Sequence, residues 1–494
     1  MVVYLSSAPV CSIFCSGLPG LQPAFSINMN KAVAHTVSYN TQMNGAYNRL
    51  RKHFSYFDAE KNQNFPIYLE NSGSSQCPDV VIDSMSNYMR SKYVQIGAGY
   101  ELSMRAKGVV DSAHNFMKTF VNADEVGEVA LGPSSSQLLK NLSYCYWNFV
   151  EEGDEVIVHG ANHEANAGPW VKLAKEKGLK LKFWMVNEDF SSNLESLGKL
   201  LSTKTRILAV PHVSNVLGEI LDLEKLVEFV REKVGSKRTR VIVDGVAFAP
   251  HGAIDVAKWG VDWYVLSTYK VCGPHMSVLF GTNDAFNEIK DEMPNFFFIP
   301  NHDFSSKFEL GCLNHEGCAG ILALKQYLQL LAQEEECLNL DASEEVDSIK
   351  NVQKQFSAIK VDDSSIFDRE LVKAAFRTVK LLEKPLQSAL ISYLRSRSDV
   401  RIVGPDDADG ERRVPTISFV HRRKKSSDIA QALYKMGFAI RNGHMYSYRL
   451  ISALCSSGLL CDNNVSEGVV RISMMHYNTP TEVSSLISCL NDIL

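Results

Sequence analysis

The sequence predicts an α/β protein: a mainly parallel sheet in a large domain, followed by a smaller domain toward the C-terminus. Three observations carry this. Short apolar runs alternate with amphipathic helical stretches through the middle of the chain, the pattern of strands joined by helical crossovers. Each run stops at a polar or glycine-containing cluster. The 494 residues also exceed one ordinary domain of roughly 100–200 residues.

Taken in order, Val126–Leu131 is a strand followed by Gly132-Pro-Ser-Ser-Ser136 and a helical pattern over Gln137–Phe149. Asp154–His159 leads into Gly160-Ala-Asn-His163-Glu-Ala-Asn166. Thr205–Pro211 leads into His212-Val-Ser-Asn215-Val-Leu-Gly218. Thr239–Val243 runs into Asp244-Gly245, and Trp263–Leu266 into Ser267-Thr-Tyr-Lys270. After Gly273-Pro274, Met276–Gly281 is a further strand.

The remainder sets the boundaries. Residues 1–35 form a leader with no charged side chain before Lys31 and no acid before Asp58. It reads as a disordered extension or an organelle-targeting segment, although the Arg-rich character of a mitochondrial presequence is missing. Residues 36–332 hold the N-terminal segment and large domain. An acidic stretch at 333–366, opening Gln333-Glu-Glu-Glu336, reads as a solvated linker or helical insertion. The small domain occupies 367–494, with a loop at Gly404–Gly410.

Composition narrows the function. With 45% hydrophobic and 22% charged residues the chain is globular, not collagen-like, low-complexity or coiled coil. No apolar run reaches the roughly 18 residues of a membrane span. A net charge of −5 gives no electrostatic footprint for nucleic acid. The 11 cysteines are odd in number, scattered and without CxxC spacing, so neither a disulfide scaffold nor a structural metal site is expected and a cytoplasmic setting is the default.

Open α/β sheets bind ligands beyond the carboxyl ends of their strands. Ser134–Ser136, His163, Asn215, Asp244 and Lys270 all stand there. Taken singly, the serines read as a helix N-cap, Asp-Gly as a turn and the lysine as a solvated charge. Taken together they suit pyridoxal phosphate (PLP). Its phosphate sits at a helix start, a carboxylate keeps its ring nitrogen protonated, and a lysine carries its aldehyde as a Schiff base. A nicotinamide site fits less well, because Gly97-Ala-Gly99 lacks the third glycine of GxGxxG.

The same residues resemble the class V aminotransferase family on its cysteine desulfurase branch. The likeness lies in Val243-Asp-Gly245, Ser267-Thr-Tyr-Lys270 with Gly273-Pro274, His163-Glu-Ala-Asn166 with Pro169-Trp170, and His212–Gly218. Val470-Arg-Ile-Ser473 with Tyr477-Asn-Thr479 and the opening Tyr68-Leu-Glu-Asn71 add to it. The resemblance implies the type I fold of PLP-dependent transferases, with a mainly parallel seven-stranded sheet and an α+β C-terminal domain. It implies PLP on Lys270, Asp244 at the ring nitrogen, His163 on the ring face and Asn215 near the ring hydroxyl. Ser135, Ser136 and Ser267 would take the phosphate, with Tyr269 in reach of it, and Arg471 the α-carboxylate of a small amino-acid substrate. A homodimer is implied as well.

Three positions depart from the family pattern. Ala247 stands where a glutamine is frequent, and Tyr269 where a histidine often precedes the lysine. Tyr446, after Arg441-Asn-Gly-His444-Met, stands where desulfurases place the cysteine that accepts sulfur as a persulfide. Cys455 and Cys461 lie downstream as substitutes. A cysteine desulfurase-like enzyme or C–S lyase is therefore expected. A class V aminotransferase or epimerase would share its first half-reaction, and a non-catalytic scaffold is the reading from another class. Gln95–Arg105 and Gly443–Arg449 are the candidate specificity loops.

Overall fold

A computed structural model describes residues 43–58, 60, 62–235, 239–339, 367–460 and 464–494. The leader 1–35, the stretch 340–366 and Cys461 lie outside the described residues. The strands are β1 (Ile67–Tyr68), β2 (Gly127–Gly132), β3 (Glu155–His159), β4 (Lys180–Trp184), β5 (Thr205–Pro211), β6 (Arg240–Asp244) and β7 (Trp263–Ser267). They continue with β8 (Ser277–Thr282), β9 (Val400–Ile402), β10 (Thr416–His421), β11 (Phe438–Ala439), β12 (Arg441–Gly443) and β13 (Val469–Ser473).

Seven of these form one sheet in the order β2-β8-β7-β6-β5-β3-β4. β4, β3, β5, β6 and β7 run parallel, and β8 is antiparallel to both β7 and β2. The expected mainly parallel sheet is thus present. Every residue of β3, β5 and β7 is buried, as a parallel sheet covered on both faces requires. That double burial is why these strands are uniformly apolar runs in the sequence. β4 is the one strand of this sheet that the apolar runs do not announce. It lies at the sheet edge, where Lys180 and Lys182 interrupt its apolar character and charge blunts an exposed edge.

Register assembles the rim. Gly132 pairs with Ser277 and Ser277 with Ser267, so the loop into the helix Ser135–Cys145 emerges beside Ser267. Asp244 pairs with Pro211 on one side and Val265 on the other. Gly245 follows at a point that admits no side chain, because a Cβ there would lie 2.0 Å from Tyr264 Cζ.

A four-stranded antiparallel sheet, β12-β13-β10-β9, forms the C-terminal α+β layer. The helix Arg369–Ser396 starts on Asp368, whose carboxylate accepts from the Leu371 N–H at 3.0 Å. It buries Val372, Phe376, Val379, Leu382, Leu386 and Leu390 along one stripe, the spacing of an amphipathic core helix. The Thr378 hydroxyl bonds the Leu331 carbonyl of His315–Asn339 at 2.7 Å. That second helix continues through 333–339, so the start of the acidic stretch is helical.

The opening segment joins the far end of the chain. β1 pairs with β11, Glu70 bridges Ser473, and Asn71 Nδ2 donates to the Ser473 carbonyl at 2.8 Å. Tyr477 donates its hydroxyl to Asn71 Oδ1 at 2.5 Å. These contacts bring residues 68–71 and 471–478, whose sequence motifs are about 400 positions apart, into one buried cluster. No helix among the described residues is long and apolar enough to cross a membrane.

Candidate active site

Lys270 and Asp244 leave neighbouring parallel strands on the same rim, since Lys270 closes the short helical turn after β7. Burial, with the Arg471 guanidinium adding to it, brings the Lys270 ammonium down to about 8, against the pull of Asp244 and Glu70. Burial raises the Asp244 carboxyl, while the Val246 N–H on Oδ1 (3.0 Å) and the Lys270 charge oppose that rise. Asp244 Oδ2 has no hydrogen-bond partner among the described residues. A carboxylate oxygen left open in this way can accept from a ligand N–H.

Ser267 is fully buried, and its hydroxyl bonds that of Ser277 at 2.9 Å. The Tyr269 phenol lies within reach of Ser267, is held up in pKa by burial, and stacks on His275 at 5.0 Å and 12°. Ser134 caps the helix Ser135–Cys145 through the Gln137 N–H. Ser135 is buried and Ser136 exposed. With Ser134 occupied as the cap, the N–H groups of 135 and 136 are the ones a phosphate would meet.

His163 is kept neutral. Burial lowers it to about 4, and the charges of Lys270, Arg471 and Arg441 act in the same direction. Its Nδ1 accepts the Ala165 N–H at 3.1 Å. Asn215 is committed further than its sequence position suggests. Nδ2 donates to the Met445 carbonyl at 2.8 Å, Oδ1 accepts from Ser447 at 2.8 Å, and its own carbonyl accepts from Arg471 Nη1 at 3.0 Å. One Nδ2 hydrogen remains for a ligand oxygen.

Asn215 thereby anchors a turn over the site. Met445 (φ 50°) and Tyr446 (φ 61°) are consecutive left-handed residues, a conformation that costs a non-glycine residue on the order of 1–3 kcal/mol. Beyond Asn215, the Glu164 N–H donates to the Tyr446 carbonyl at 2.8 Å, and Arg449 makes two bonds to the Glu164 carboxylate at 3.0 and 3.1 Å. The Tyr446 ring faces His163 at 5.3 Å. Cys455 is packed into an apolar cluster with Leu450, Leu454 and Val469.

The arginines complete the site. Arg441 on β12 and Arg471 on β13 are direct cross-strand partners. They share a single oxygen, Glu70 Oε1, at 3.3 and 3.4 Å. Arg471 is buried, and its Nε has no partner among the described residues. Sequence reasoning assigns no individual role to Glu70, Arg441 or Ser447; it marks them only through the Tyr68–Asn71 and Arg441–His444 motifs and the Gly443–Arg449 loop.

These features define a cofactor-dependent α/β enzyme whose lysine and aspartate match what PLP needs. The Aminotransferase class-V family model matches residues 67–360 and 370–486, and the chain belongs to that family. It is 31% identical over 435 residues to the aminotransferase-like protein FGM3 of Gibberella zeae, covering 87% of this chain and 94% of that one. It is 27% identical over 447 residues to a probable cysteine desulfurase of Synechocystis sp., covering 89% and 94%. The apo cysteine desulfurase of Thermococcus onnurineus has the same fold, with a TM-score of 0.70 at 20% identity over 90% of this chain and 97% of that one. The protein is a PLP-dependent enzyme acting on an amino acid.

One titration follows. A lysine shifted down to about 8 becomes neutral, and able to react with an aldehyde, well below the usual value near 10.4. Reconstitution of the apo-protein with PLP, followed by growth of the visible band, is expected to accelerate as pH rises through about 8 and then level off. Acceleration that continues to about pH 10 would mean that the site leaves Lys270 unshifted.

Proposed function

We propose that the protein acts on an α-amino acid at or beside its β-substituent, as a C–S lyase or cysteine desulfurase-like enzyme that carries no sulfur on position 446. The observation that supports this most is a buried lysine of lowered pKa coupled to a buried carboxylate at one strand rim. Bound PLP supplies an electron sink for charge developing at the substrate's α-carbon. Lys270 Nζ anchors the cofactor and then moves the α-proton. Asp244 Oδ2 accepts from the ring nitrogen and holds its proton there.

The remaining roles follow from chemistry. His163, neutral and flat, would lie against the ring of the bound cofactor, and Asn215 would give its remaining amide hydrogen to the ring oxygen. Ser135, Ser136, Ser267 and Tyr269 bind the phosphate. Arg471 takes the α-carboxylate with a planar fork that a lysine cannot offer. With Tyr446 in the turn and Cys455 packed in the core, sulfur leaves as sulfide or thiol. A pure scaffold would need neither Lys270 nor Asp244.

Product analysis with cysteine and S-substituted cysteines tests this reading. Pyruvate is expected. Alanine would indicate sulfur transfer to an acceptor, and dependence on a 2-oxo acid would reassign the chain as a transaminase.

We also propose a homodimer. Phe296, Phe297 and Phe298 are exposed, Phe297 by 93%. Leu310 lies beside the same loop, which Asn295 ties to Ser306 and Glu309. An apolar surface of this kind marks an interface, and a second copy of the chain is the occupant we assign. The described cysteines form no disulfide with one another, which suits the reducing, cytoplasmic setting we propose.

A further inference from the structure

Two arginines directly opposite each other on adjacent antiparallel strands are unfavourable unless something anionic lies between them. Arg441 and Arg471 hold these positions. Each guanidinium has five N–H donors, yet among the described residues the pair makes only three hydrogen bonds: two long ones to Glu70 Oε1 and one to the Asn215 carbonyl. Glu70 supplies one negative charge for the two cations, which leaves one positive charge over. Arg441 lies over the Tyr446 ring, which meets His163, and Arg471 bonds the Asn215 carbonyl, so both arginines stand among the site residues.

An α-carboxylate needs one guanidinium. Arg471, buried and bonded to Asn215, is already assigned to it. Arg441 is partly exposed, with 41% of its side chain open, and lies 5.7 Å over the Tyr446 ring. Tyr446 is also in contact with His163, so Arg441 and Tyr446 stand on the His163 side of the site. Among the described residues no thiol stands there to receive sulfur.

We propose that Arg441, braced by Glu70 and the Tyr446 ring, forms a second carboxylate subsite, so that the substrate is an α-amino acid whose side chain ends in a carboxylate. This rests on the functional reading above and specifies its substrate class. It includes S-carboxyalkyl cysteines as substrates, with aspartate and glutamate as sulfur-free binding analogues, and it sets cysteine and alanine apart as weak ligands.

The test uses the full chain loaded with PLP and titrates aspartate, glutamate, S-carboxymethylcysteine, cysteine and alanine against the visible band. The acidic amino acids are expected to bind at least about 10-fold more tightly than the neutral ones, as one charge-assisted contact gives. Arg441→Gln should weaken the acidic ligands by about 10- to 100-fold, and the neutral ones much less, since they meet Arg441 only through the Glu70 carboxylate it shares with Arg471. Arg441→Lys should recover part of the loss. The visible band and far-ultraviolet circular dichroism report that the variants are folded. Equal binding of acidic and neutral ligands, or an equal loss of both in Arg441→Gln, would overturn the subsite and leave the enzyme reading intact. If no amino acid perturbs the band, both fall.

Discussion

Replacing Lys270 by alanine is expected to abolish the visible band of the loaded protein and to reduce turnover by at least about 10²- to 10⁴-fold, the usual worth of a positioned proton-transfer group. Band and rate should be lost together, because one nitrogen both anchors the cofactor and moves the α-proton. The fold should survive. Lys270 ends a short turn at the rim rather than a core strand, and removing a buried cation of lowered pKa relieves a desolvation penalty. Far-ultraviolet circular dichroism with thermal unfolding would establish this, and absorbance with single-turnover kinetics would measure the rest. A variant that keeps the band would mean that Lys270 is not the anchor.

Asp244→Asn should cost nearly as much in rate by a different route. Asparagine has the same shape and can still accept from the Val246 N–H, so the protein and its PLP affinity should change modestly. It loses the charge that holds a proton on the ring nitrogen. Losing one preorganised electrostatic group of this kind reduces turnover by about 10²- to 10³-fold. Rate and cofactor affinity measured on the same preparation separate these effects. A fall in affinity as large as the fall in rate would assign Asp244 to cofactor binding alone.

The legible part of the molecule was the rim. Parallel strands buried on both faces are apolar throughout and must stop where the chain turns polar, so Asp244, Lys270 and Asn215 stand out from the runs before them. β4 was hidden because an edge strand can carry lysines. The arginine pair was hidden for a different reason: nothing local links Arg441, Arg471 and Glu70. Their meeting depends on the β12–β13 register and on residue 70 bridging residue 473, and neither leaves a periodic trace. Asn215 shows the limit from the other side, since its motif marked it for the cofactor while most of its amide is used on the Met445–Ser447 turn.

That turn bears on how the chain could be re-engineered. Tyr446→Cys would put a thiol where a desulfurase keeps one, but a sulfur carrier has to travel, taking its load from the substrate and delivering it to an acceptor outside. Here the backbone at 445–446 is bolted down by the Asn215 amide on the Met445 carbonyl, the Glu164 N–H on the Tyr446 carbonyl and Ser447 on Asn215. The substituted cysteine would be loaded without being able to unload, a terminus for sulfur instead of a ferry.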